Sequence, residues 1–94
     1  MKIINCKQTL KDLAGNDIKV DDKDFTIGQA LANIVVADQT GGKMKLYILG
    51  TKFYQNDSVE LDDADFSLVK SAVKASTAYG AIVVGQIESI LETI

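Results

Sequence analysis

The twelve residues Lys43–Tyr54, KMKLYILGTKFY, constrain this 94-residue chain more than any other stretch. At helical pitch, about 100° per residue, Met44, Leu46, Tyr47, Ile48, Leu49, Phe53 and Tyr54 spread around most of the circumference. Only Lys45 and Lys52, seven places apart and nearly superposed, leave a narrow polar stripe. A helix apolar nearly all round is normally covered on more than one side. The segment is therefore expected to be the most buried helix, with the rest of the chain packed around it. A strand is the competing reading, because Lys43, Lys45 and Tyr47 alternate with Met44, Leu46 and Ile48. The run outlasts a typical strand and is poor in β-branched residues, which favours the helix.

The flanking sequence supplies the other elements. Ile3, Ile4, Cys6, Thr9 and Leu10 have strand character, and Ile18-Lys19-Val20 follows after Ala14-Gly15-Asn16-Asp17. Glycine and asparagine accept positive φ, so Gly15-Asn16 predicts the turn of an antiparallel hairpin. Thr26 with Gln29 three places on forms a capping box. It opens a helix whose inner face is Ile27, Ala30, Leu31, Ile34 and Val35, ending near Asp38 before Gly41-Gly42. Val59-Glu60-Leu61 is a candidate short third strand, and Asp62 is placed to cap a third helix with Phe66, Val69 and Val73 inward. Ser76-Thr77 is expected to cap a last helix carrying Tyr79, Val83, Val84, Ile87, Ile90, Leu91 and Ile94 on one stripe. The expected fold is α+β and mainly helical: an N-terminal β-hairpin packed on a four-helix bundle, in a single domain spanning 1–94.

IKVDDKDFTI at Ile18–Ile27 and VELDDADFSL at Val59–Leu68 resemble each other. Ten residues fall well short of a repeat unit of about 20 or more. Two strand-to-helix junctions with the same capping needs explain the likeness.

Composition limits function. A net charge of −3 argues against a general nucleic-acid binder, and one cysteine excludes an internal disulfide and fits a reducing cytosol. The opening MKIINCKQTL lacks a signal-peptide core, and no uncharged apolar run reaches membrane-spanning length. There is no histidine, which removes the commonest general base and the usual partner of a Ser or Cys nucleophile. Cys6 is read as a small apolar side chain near the sheet. The clusters Asp21/Asp22/Asp24 and Asp62/Asp63/Asp65 lack the spacing, turn glycine and terminal glutamate of a calcium loop, so they are read as solvated helix caps. Thr40-Gly41-Gly42-Lys43 is an incomplete phosphate-loop ending: the full motif needs glycine at Ala37 and Ser or Thr at Met44. Lys43, Lys45 and Lys52 beside Tyr47 and Tyr54 are read as the basic edge of a buried helix rather than as a nucleic-acid contact. No enzyme activity, cofactor or metal is expected.

The Asp-x-x-Gly turn at Asp12–Gly15, TIGQALANI at Thr26–Ile34, KMKLYILGTKFY, VELDDAD at Val59–Asp65 and VGQI at Val84–Ile87 together resemble small proteins encoded by tailed bacteriophages and prophages. The likeness runs through core positions and caps along nearly the whole chain and brings no catalytic residues with it. It implies a small accessory protein in the host bacterial cytoplasm, acting by binding a host or phage protein as an assembly factor or modulator. The alternatives are a self-associating virion subunit, which would be found in the particle, or a small-ligand binder. Gly85 in mid-helix, costing about 1 kcal/mol relative to alanine, calls for a reason. Ala78, Ala81 and Gly85 are expected to line one side of the last helix, where small residues allow close approach either within the domain, the favoured reading, or by a second subunit or partner; with Lys45 and Lys52 they are the candidate interface residues.

Overall fold

Two side-chain caps set the helical phase of the chain. In the computed structural model, which describes residues 2–38 and 42–94, Thr26 accepts a hydrogen bond from the Gln29 backbone N–H at 3.3 Å and opens α1, Ile27–Ala37. Asp62 accepts from the Asp65 N–H at 2.7 Å and opens α3, Asp63–Ala75. Between them lies α2, Lys43–Gln55, the helix expected from KMKLYILGTKFY. Each side-chain cap satisfies a backbone donor that the first helical turn leaves without a partner. The phosphate-loop-like stretch extends over Thr40 and Gly41, which lie outside the described residues.

The N-terminal region turns twice. Ile18 N–H donates to Leu10 O at 2.9 Å and Asp12 N–H to Asn16 O at 2.8 Å, closing the expected hairpin around Gly15. Strands β2, Lys19–Val20, and β3, Lys23–Asp24, then make a second, tighter hairpin. Its turn residues Asp21 and Asp22 have φ of 52° and 64°, the doubly left-handed geometry of a two-residue hairpin loop. Strand β1, Lys2–Asn5, pairs antiparallel with β4, Ser58–Leu61, with Ile4 opposite Val59. The third strand near 59–61 thus lies beside the chain's first strand, with Ile4, Val59 and Leu61 inward and Ile3 and Glu60 outward.

The paired decapeptides have different structures. Asp21-Asp22 is a hairpin turn, whereas Asp62-Asp63 is a cap and a first helical residue. Phe25 precedes its helix and Phe66 lies inside one. The caps, Thr26 and Asp62, fall at different places in the two segments, so the expectation of shared capping needs is replaced by two distinct junctions.

The helix at the centre of the core is α1, not α2. Ile27, Gly28, Ala30, Leu31, Ala32, Ile34 and Val35 are all buried, against Leu46, Leu49, Gly50 and Phe53 on α2. Small residues let α1 be covered on several sides. A Cβ on Gly28 would stand 2.6 Å from Phe53 O and 2.7 Å from Cys6 Cβ, so only glycine fits where the N-terminal strand, α1 and the end of α2 cross. The Gly28 N–H donates to Cys6 O at 3.0 Å and the Ile27 N–H to Gln8 O at 2.8 Å at the same crossing.

The last helix, α4, spans Ala81–Thr93 with Gly80 as its N-cap, later than Ser76-Thr77 implied. Ser76 instead terminates α3, and its hydroxyl accepts from the Ala78 N–H at 3.2 Å. Tyr79 sits in the connection: its ring tilts against Phe25, centroids 5.5 Å apart, and its hydroxyl accepts from Asn33 Nδ2 at 2.7 Å. Among the described residues no helix is long and apolar enough to cross a membrane.

Candidate protein-contact surface

With α2 oriented by Leu46, Leu49, Gly50 and Phe53 toward the core, its opposite side has to face water. That side carries Met44, Tyr47, Ile48 and Tyr54, exposed by 73%, 64%, 43% and 70%. On a helical projection these four cover an arc of about 120° centred away from the core. Val36 on α1, 54% exposed, continues the patch across the α1–α2 groove, a hollow of about 410 Å³ also lined by Ala37, Asp38, Lys43 and Tyr47. Of the nine large exposed hydrophobic side chains among the described residues, four lie on this single helix. Single exposed apolar residues need no explanation, but a group of them on one helix face is a candidate contact surface.

Lysines border the patch. Lys43 stands at one margin of the arc and Lys45 and Lys52 at the other. Lys45 pairs with Asp65 of α3 at 3.1 Å, while Lys43 and Lys52 make no ion pair among the described residues. Lys43 and Lys45 also occupy the first turn of α2, where Gly42 gives no side-chain cap and no acidic residue is present. The helix dipole is positive at that end, so this placement is unfavourable for the isolated chain.

No family model, no curated protein and no solved structure matches this chain.

The other interface candidates separate into two places. Ala81 and Gly85 share an exposed face of α4, where a Cβ on Gly85 would meet no atom within 4 Å. They line a shallow groove with Lys11, Ile82 and Leu13, the last of these 96% exposed. Ala78 precedes α4 and lines a different hollow of about 440 Å³ between the ends of α1 and α3. The Gln86 amide holds the groove together, accepting from the Lys11 N–H at 2.8 Å and donating to Lys11 O at 2.5 Å.

The remaining side chains assemble no reactive centre among the described residues. None of the polar or charged side chains described is buried, and no three carboxylate or thiol groups converge as metal ligands would. Cys6 is buried in the core beside Ile4, and burial, with the Asp57 carboxylate adding to it, pushes its thiol up to about 11. A thiol held neutral in this way is a poor nucleophile at neutral pH. Hydrogen bonds from Lys11 and Thr9 hold the half-buried Asp17 carboxyl below its ordinary range and brace the first hairpin.

Tyr47, Ile48, Met44 and Tyr54 are the exposed apolar residues that reading α2 as a buried helix overlooked. The signal was present in the sequence. Leu46, Leu49 and Phe53 already form a sufficient inner stripe at i, i+3 and i+7, which leaves the other apolar residues surplus to folding.

Proposed function

We propose that this chain is a small phage-encoded accessory protein that binds another protein without catalysis, as an assembly factor or as a modulator of a host protein. The observation that carries the reading is the apolar outer face of α2, with Met44, Tyr47, Ile48 and Tyr54 left in water on a helix whose other face is well packed. Aromatic residues and methionine are enriched at the centres of protein interfaces. The sequence resemblance to phage proteins supports the setting, an infected bacterium and its cytoplasm.

Affinity capture from infected cells tests this reading. The chain should retain a protein that rebinds when purified and is lost when Met44→Ser/Tyr54→Ser is used as bait. A catch identical for both baits would overturn it. A second reading, a self-associating virion subunit, is favoured by Leu13 standing free beside Ala81 and Gly85. It requires the chain in purified particles at stoichiometric amounts, and Gly85→Leu should then block assembly while the monomer stays folded.

A further inference from the structure

We infer that the outer face of α2 receives an acidic amphipathic helix of a partner protein, apolar side on Tyr47 and Ile48, carboxylates on Lys43 and Lys52. The inference rests on the protein-binding reading above and names the chemistry of the partner.

Charge distribution carries the argument. The chain as a whole has a net charge of −3, yet α2 contains three lysines and no acidic residue. Those lysines flank the apolar arc on both sides, the arrangement that meets an apolar stripe with carboxylates along its margins. Asp65 already satisfies Lys45, which leaves Lys43 and Lys52 to face the partner. Lys43 adds a second indication. It sits at the positive end of α2, where Gly42 offers no side-chain cap and a carboxylate brought by a partner would offset both the lysine and the dipole. From Met44 to Tyr54 the stripe runs about 15 Å, roughly three helical turns, and the adjoining α1–α2 groove gives a neighbouring helix a ridge to seat against.

The same charges disfavour two other occupants. A second copy of the chain, placed symmetrically face to face, would set the α2 lysines against one another. Nucleic acid would need more than two unpaired lysines, and the aliphatic centre at Met44 and Ile48 offers phosphates nothing.

Two synthetic helical peptides provide the test, sharing one leucine stripe and free of aromatics, with glutamates along the margins of one and lysines along the other. Each is titrated into the isotope-labelled full chain while its backbone amide resonances are followed. The acidic peptide should move the amides of 43–55 and bind about tenfold more weakly to Lys43→Glu/Lys52→Glu, with Lys43→Gln/Lys52→Gln intermediate. Its affinity should also fall as salt is raised. Equal binding of both peptides to α2 would overturn the acidic assignment and leave the protein-binding reading intact. Failure of the acidic peptide to bind at about 1 mM, tighter binding of a single-stranded oligonucleotide, or dimerisation through α2 would each overturn the inference. A protein catch unaffected by substitutions on α2 would instead remove the protein-binding reading itself.

Discussion

Helices α2 and α3 are each thirteen residues long, and both pack one face on the same core. α3 is built as a helix that ends in water should be. Asp62 caps it, Asp63 and Asp65 sit at its positive end, Lys74 is in its last turn, and Ser67, Ser71 and Lys74 are exposed outside. α2 follows none of these rules at its start: glycine caps it, lysines occupy its first turn, and tyrosines, methionine and isoleucine face solvent. The inner faces are equivalent and the outer faces are not. Among the described residues the lysines at the start of α2 gain only the Lys45–Asp65 pair, and a partner on the outer face would supply the remaining compensation.

The largest expected effect checks that α2 belongs to the core at all. Phe53→Ala should lower the unfolding free energy by about 3–5 kcal/mol, because Phe53 is 1% exposed and the space left cannot refill. An unchanged denaturation midpoint would mean that the inner face has been misplaced. Next comes the side-chain cap that Asp62 gives α3 and that Gly42 cannot give α2. Asp62→Ala should cost about 0.5–2 kcal/mol in the same denaturation series. A smaller effect has the opposite sign: Lys43→Glu should stabilise the chain by about 0.3–1 kcal/mol, since it puts an acid at the positive end of α2. The same substitution should weaken binding of the acidic peptide, so stability and function would move in opposite directions. If it destabilises the fold, Lys43 serves the chain itself and the contrast between the two helices loses its meaning.

Local chemistry was legible in the sequence where it acts alone. Thr26 and Asp62 cap where hydroxyl and carboxylate spacing placed them, and α2 begins and ends within a residue of expectation. What escaped depends on contacts distant in the chain. The pairing of β1 with β4 is fixed by Ile4 meeting Val59 across more than fifty residues, which no turn signal announces. The β2–β3 hairpin turns on Asp21-Asp22, a weaker signal than asparagine followed by glycine, because both carboxylate residues must hold positive φ. α4 starts late because Ser76 satisfies a local turn and Tyr79 is drawn aside by Phe25 and Asn33. For the candidate surface, periodicity marked α2 as apolar all round but could not say how many neighbours cover it. Gly28, Ala30 and Ala32 gave α1 that central place by admitting close approach.

The central claim is that the outer face of α2 is kept for a partner and is dispensable for folding. The variant Tyr47→Ser/Ile48→Ser tests it most directly, with unfolding midpoint and retention of the captured partner measured on the same preparation. The midpoint should correspond to a loss of no more than about 1 kcal/mol, as for surface positions, while partner retention disappears. A loss of several kcal/mol, or a partner retained as well as by the unaltered chain, would contradict the account.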